Sequence, residues 1–238
     1  MFPASVKALF QWTTVLPLGA PADFEAFAKR SYLYPLAGWL IGGIVGAVIF
    51  FVPYNGLAAA FALAGVLLLS GCNHFDGLID LGDGMMAHGS REKRIAALTD
   101  RNVGAGGVAF GLIFSLIAFA GLLSASVPAF AILIAEVGAK LAMSVVTTFG
   151  SPFREGIQSY MHARSRKYFP FLSVLLFLPL FFLPVNTVAV SVAMVLAVVT
   201  PLALVALSSR LFGGVNGDVA GAANEITRAV ILAALILA

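Results

Sequence analysis

The chain has 238 residues, 61% of them hydrophobic and only 11% charged, with a mean hydropathy of +1.01. A net charge of +3 on so apolar a chain gives no basic face for a nucleic-acid partner. Apolar runs near the ~20 residues that cross a bilayer exclude a water-soluble globular domain. One cysteine, Cys72, excludes an internal disulfide and is expected to be a small buried residue.

Residues 1–31 alternate apolar and polar side chains and predict an interfacial helix, with no cleaved signal peptide. A first span runs from about Tyr32 to Val52, with Tyr34 and Trp39 as interface aromatics and Gly38, Gly42, Gly43 and Gly46 as small residues for close packing. A turn at residues 53–56 leads to a second span, about Leu57 to Cys72, whose helix is expected to continue through the following aspartates. Further spans cover about Ala105–Leu123, Ala129–Phe149, a stretch ending near Leu183, and Thr187–Leu207. A seventh segment, Asp218–Ala238, is the least regular because its first half is charged. The expectation is one all-α polytopic domain over residues 1–238, with about seven transmembrane helices and lipid as its surroundings. A homo-oligomer is compatible with this pattern.

With seven spans, the segments on one side carry twelve of the 14 Lys and Arg, and the opposite turns carry none. Lys140 and Arg228 lie inside spans. By the positive-inside rule the N-terminus and all polar loops are cytoplasmic. The chemistry is therefore expected at the cytoplasmic face of a cell membrane.

Residues 73–107 hold five of the eleven acidic residues. Asp76, Asp80 and Asp83 stand at i, i+4 and i+7, so on a helix they share an arc of about 60°. Like charges at that spacing repel, and a hard divalent cation such as Mg²⁺ would neutralise them with oxygen ligands. The competing reading is the wet face of a helix leaving the membrane, which does not explain Gly77, Gly82 and Gly84, each costing about 1 kcal/mol in a helix. Asp100 is followed by Gly104 and Gly107, and glycines at a helix start let backbone N–H groups approach a phosphate. A helix cap explains Asp100 equally well. Arg91, Lys93, Arg94 and Arg101 form a basic cluster that spacing alone does not resolve into roles.

The second constellation is residues 213–225, GGVNGDVAGAANE. Asp218 and Glu225 share a helix face ~10 Å apart along the axis. A carboxylate within a membrane segment points to function, although Arg228 could simply pair with Glu225. Glu136 and Lys140, at i and i+4, raise the same choice between site and structural pair. His162 reads as a loop histidine. Together these features suit metal-assisted phosphoryl transfer on an amphipathic or bulky substrate.

The stretch HFDGLIDLGDG, His74 to Gly84, resembles the HxDGLxDxxDG signature of the cobalamin synthase (adenosylcobinamide-GDP ribazoletransferase) family. Tyr34-Pro35-Leu36-Ala37-Gly38, the Asp100/Gly104/Gly107 spacing, Arg154-Glu155-Gly156 and the closing Gly213–Glu225 element are similar to further motifs of that family. Lys140 stands where Arg is expected, and Thr14 replaces an Arg. The resemblance implies a Mg²⁺-dependent membrane enzyme joining α-ribazole, or its 5′-phosphate, to adenosylcobinamide-GDP with release of GMP. It implies Asp76, Asp80 and Asp83 as metal ligands, and Asp76, Asp80, Asp83 and Asp100 as catalytic groups. It also implies substrate contacts from His74, Arg101, Gly104, Gly107, Glu136, Lys140, Arg154, Gly214, Gly217, Asp218 and Glu225. The competing readings are a CDP-alcohol phosphotransferase, whose longer DGxxxD ending is not reproduced here, and a transporter using the intramembrane charges as a relay.

Overall fold

Helix α8 (Pro128–Phe149) is the axis of the molecule. It opens with proline in its first turn, where the missing N–H has no helical partner to lose, and it is buried on nearly every side, Glu136 and Lys140 included. The computed structural model describes residues 3–236. Around α8 stand α3 (Tyr34–Ile49), α4 (Asn55–Leu69), α7 (Ala105–Ser124), α10 (Phe169–Phe177), α11 (Thr187–Phe212) and α12 (Gly217–Ala234). Shorter helices α1 (Ala4–Thr13), α2 (Phe24–Ala28), α5 (Asn73–Met86), α6 (Arg91–Leu98) and α9 (Ile157–Arg164) complete the order, with 3-10 turns at Ser31–Leu33 and Leu178–Phe182. His162 therefore lies on a helix, where its Nδ1 sits 3.0 Å from the Thr147 carbonyl.

Four helical stretches are long and apolar enough to cross a membrane: Ser31–Ile49, Ala105–Ser124, Pro128–Phe149 and Thr187–Phe212. The count rises to six if two bent pairs each form one span. Helix α12 falls outside that count because it carries Asp218, Glu225 and Arg228. Phe51, Leu112, Leu116, Phe171 and Val195 are exposed on the outside of the bundle, as lipid-facing side chains would be. This is a membrane protein.

Two further expectations change. The helix of span two does not run on through the aspartates: Gly71 and Cys72 adopt φ of +66° and +59°, and α5 leaves α4 at 95°. Two successive left-handed residues end a helix, and a 14-residue α5 is about 21 Å long. Cys72, placed at this corner, is exposed. The N-terminal segment packs on the bundle, where Leu9, Phe10 and Phe27 bury with Tyr34, Met143 and Met161.

Close backbone contact holds α3 to α8. A Cβ on Gly38 would stand 2.6 Å from the Glu136 carbonyl oxygen and 2.6 Å from the Val137 Cα, and Gly42 and Gly46 meet Leu133 and Ala129 in the same way. Gly43 faces open space, so the packing stripe comprises Gly38, Gly42 and Gly46. In lipid, van der Waals contact of this kind drives helix association. Gly38→Val is expected to cost about 1–3 kcal/mol through overpacking, read as a lowered midpoint of thermal unfolding in detergent, while Gly43→Ala leaves the midpoint unchanged; equal effects would contradict the packing.

Candidate active site

The acidic face is carried by α5, where Gly77, Gly82 and Gly84 admit three neighbours. Gly77 lies against the Asp218 backbone at the start of α12, Gly82 against Gly106 and Phe110 of α7, and Gly84 against Leu98 of α6 and Phe212 of α11. The glycines that are costly in an isolated helix thus let α5 cross the beginnings of α7 and α12. Arg94 Nη1 donates to the Met85 carbonyl at 2.8 Å, satisfying an orphan acceptor in the last turn of α5.

The three aspartates of α5 divide their roles. Asp76 is exposed and Asp80 half-buried. Asp83 points into the N-terminus of α7: its Oδ2 accepts the Gly104 N–H and its Oδ1 the Gly107 N–H, both at 2.8 Å. A carboxylate at a helix N-terminus meets unpaired donors and the positive end of the dipole, so Asp83 fastens α5 to α7. The two N–H groups expected to face a phosphate are engaged by this carboxylate. Gly107 is a tight fit as well, since a Cβ there would lie 2.7 Å from Asp83 Oδ2.

Across α5 stands Asp218, in the first turn of α12. Asn216 caps that helix by accepting the Val219 N–H at 3.1 Å and donates its amide to Asp218 Oδ2. Arg154 Nη2 reaches the same oxygen at 3.6 Å. A short parallel bridge brings it there: the Val215 N–H donates to the Ser151 carbonyl at 2.9 Å and the Phe153 N–H to the Val215 carbonyl at 3.2 Å. Gly214 packs directly on the Ser151 carbonyl, where no Cβ would fit. The carboxylates of Asp218, Asp76 and Asp83 all act on Asp80, opposed by Arg154. This accumulation of oxygen donors and negative charge suits a hard cation such as Mg²⁺. Among the described residues, however, no three His, Cys, Asp or Glu side chains converge on one metal position. A cation here would need oxygens from another source, as Mg²⁺ commonly takes them from substrate phosphates.

The remaining expected site residues lie elsewhere. Asp100 is exposed and accepts both the Asn102 N–H and its side-chain amide at 2.9 Å, bonds that hold its carboxyl below the usual range. Arg101 beside it is exposed. Glu136, Lys140 and Glu225 are buried and paired within the bundle. Arg228 donates through Nε to Glu136 and through Nη1 to Glu225. Lys140 Nζ donates to Asn224 Oδ1 at 2.8 Å and lies 4.0 Å from Glu136 Oε2, and Asn224 Nδ2 donates to Glu225 Oε1 at 3.0 Å. Two cations and two anions make the group neutral. The i, i+3 and i, i+4 pairs were visible in the sequence, but the Arg228–Glu136 pair joins residues 92 apart and had no local signal. His74 is buried, with Nδ1 unpartnered, on the turn of α5 against which Gly221 packs.

Breaking a buried pair while leaving its partner costs ~3–5 kcal/mol. Arg228→Met is therefore expected to lower the unfolding midpoint sharply, and Glu136→Gln with Arg228→Met to lower it less than the two changes summed. Asp83→Ala, which strands two helix-terminal N–H groups, is expected to cost about 1–3 kcal/mol, whereas Asp76→Ala on the exposed side leaves stability unchanged. Thermal unfolding checks all of these, and equal midpoints for the two aspartate variants would contradict the division of roles.

The chain matches the cobalamin-5-phosphate synthase family over residues 5–236. Adenosylcobinamide-GDP ribazoletransferase of Methanococcoides burtonii is 32% identical over 256 residues, covering 100% of this chain and 93% of its own. The proteins of that name from Methanocella arvoryzae and Deinococcus radiodurans are each 37% identical, over 95% and 92% of this chain and 93% and 80% of theirs. No solved structure matches the chain. The chain belongs to the cobalamin-5-phosphate synthase family.

Proposed function

We propose that this protein transfers the adenosylcobinamide phosphate moiety from adenosylcobinamide-GDP to α-ribazole or its 5′-phosphate, releasing GMP and forming adenosylcobalamin or its phosphate. It is a transferase of cobalamin biosynthesis, as its full-length relatives are named. The observation that carries the reaction chemistry is the opposition of Asp76 and Asp80 on α5 to the Asp218–Arg154 pair. Such a face can take a pyrophosphate only with its negative charge offset.

Asp76 would hold Mg²⁺ together with oxygens of the substrate phosphates, with Asp80 and Asp83 lending charge beside it. Mg²⁺ supplies polarisation of the phosphate and neutralisation of its charge. Arg154, which is exposed beside Asp218, meets the phosphoryl oxygens and stabilises charge as it develops. A ribazole hydroxyl oxygen forms the new bond to the cobinamide-linked phosphorus, the bond from that phosphorus to the GMP oxygen breaks, and GMP carries the electron pair away. The hydroxyl proton passes to Asp80, which is ringed by the charges of Asp218, Asp76 and Asp83. Asp100 and Arg101 lie on the exposed loop before α7, and their contribution in this reading is contact with the incoming nucleotide.

The membrane arrangement we infer has seven inserted segments, with α12 as the seventh. Its Glu225 and Arg228 tolerate the bilayer because they are paired internally. The one-sided distribution of Lys and Arg supports an N-terminus and active face on the cytoplasmic side. GMP release by detergent-purified protein is expected to need Mg²⁺, to stop with EDTA, and to fall about 10²-fold or more in Asp80→Asn, in line with loss of a general base. Full activity in Asp80→Asn with Mg²⁺ present would overturn the assignment.

A further inference from the structure

A second cluster of charge lies where α2 and α9 meet the starts of α3 and α10. Residues 23–30 and 164–167 together hold five Lys and Arg against two acidic residues. Both acids are engaged within the protein. Asp23 caps α2 by accepting the Glu25 N–H at 2.9 Å, and Glu25 Oε1 meets Lys29 Nζ at 3.1 Å and Arg164 Nε at 3.5 Å. That carboxylate joins α2 to α9, where the Arg164 guanidinium carbon stands 3.4 Å from the centre of the Tyr160 ring. Arg30, Arg166 and Lys167 are exposed, and among the described residues none of the three meets a carboxylate. Arg30 Nη1 donates to the Ala26 carbonyl at 3.2 Å, which uses one of its five N–H groups.

Aromatic rings set the depth of these cations. The Tyr32 and Tyr168 rings meet Phe169 edge-on, with centroids 5.1 Å and 5.3 Å away, and Ser173 Oγ donates to the Tyr32 carbonyl at 2.9 Å. The entry of α3 is thereby fastened to that of α10. Tyrosine at the start of an apolar helix marks the headgroup level of a bilayer, and Tyr168 and Phe171 are exposed there. Helix α9 is bent by 94° from the helical run that begins with α10, and the Thr148 and Ser165 hydroxyls, 2.7 Å apart, tie its end to the last turn of α8. With α10 upright in the bilayer, α9 lies along the membrane surface. Arg166 and Lys167, between the two helices, then stand at the depth of the lipid phosphates, beside Arg30.

The geometry points to this corner as a binding site for the headgroup of an anionic phospholipid, with Arg30, Arg166 and Lys167 taking its phosphate oxygens and its acyl chains descending beside α3 and α10. Basic residues between membrane helices at the headgroup level attract anionic lipids, and the planar guanidinium matches phosphate geometry. Cations that serve topology alone need no fixed arrangement. Here the two segments that carry them are held together by an ion pair, a ring contact and a hydrogen bond, so little ordering is left for the lipid to impose. Lipid binding at this corner is independent of the transfer chemistry.

Trp39 reports on the site. Its indole donates to the Leu176 carbonyl at 2.9 Å, between α3 and α10 and about 7.5 Å beyond Tyr34 along α3, and Trp12 is the only other tryptophan. In Trp12→Phe protein held in phosphatidylcholine vesicles, phosphatidylglycerol with brominated chains is expected to quench Trp39 with at least about fivefold higher apparent affinity than brominated phosphatidylcholine, a preference that weakens as salt is raised. Adding Arg30→Gln, Arg166→Gln and Lys167→Gln together is expected to bring the ratio close to one, and Arg166→Gln with Lys167→Gln to lower it part of the way. Adding Lys93→Gln, Arg101→Gln and Arg210→Gln, which removes as much charge from other exposed positions, is expected to keep it. Matching unfolding midpoints in zwitterionic detergent separate lost binding from lost fold. No preference for phosphatidylglycerol in the Trp12→Phe protein, or an equal loss in both triple variants, would overturn the site. Release of the lipid by inorganic phosphate at matched ionic strength would contradict a lipid occupant.

Discussion

Arg228, held between Glu136 of α8 and Glu225 of its own helix, is the constraint on which the rest of the architecture depends. In an apolar interior a guanidinium is tolerated only when it is matched by carboxylates and fixed by hydrogen bonds, and Lys140 with Asn224 completes a neutral set. The pairing joins α12 to the central helix at one register. That register decides which turn of α12 meets α5, and so places Asp218 opposite Gly77 and Gly221 opposite His74. The charges buried within the bundle therefore act on the active face from a distance, by fixing where its second helix begins.

From there the site is assembled by close contacts. Asp83 holds α5 to the start of α7 through two backbone N–H groups, and the bridge between residues 151–153 and 215 delivers Arg154. Asp76 and Asp80 are left facing outward. The carboxylates that looked equivalent by spacing thus differ in what surrounds them: one faces a helix end, one is ringed by other acids, and one is exposed. Glycine does most of the permitting, because the backbone of α12, the Gly82–Gly106 crossing and the Ser151 carbonyl each occupy space that a side chain would fill.

Much of this was legible in the sequence. The helical class, the membrane setting, the acidic helix and the small-residue stripe at Gly38, Gly42 and Gly46 all follow from periodicity and composition. The local ion pairs Glu225–Arg228 and Glu136–Lys140 followed from helical spacing. The corner at Cys72 did not, because a left-handed conformation is rarely adopted by a residue with a side chain, and nothing local marks it. Gly43 looked identical to its neighbours because a run of glycines does not say which face meets a helix. The engagement of Gly104 and Gly107 by Asp83, the Arg228–Glu136 pair and the Pro152–Val215 bridge join residues far apart in the chain. No periodicity encodes them.

The family match over residues 5–236 separates this chain from a phospholipid-type transferase or a transporter, the two readings that spaced aspartates and buried charges left open. The most direct measurement is the fate of the corrinoid when purified protein is given adenosylcobinamide-GDP, α-ribazole and Mg²⁺, followed by chromatography and mass. The account predicts one corrinoid product carrying the ribazole moiety for each GMP released, and none when α-ribazole is omitted. GMP release at the same rate without α-ribazole, or transfer of the phosphoryl group to a lipid alcohol instead, would contradict it.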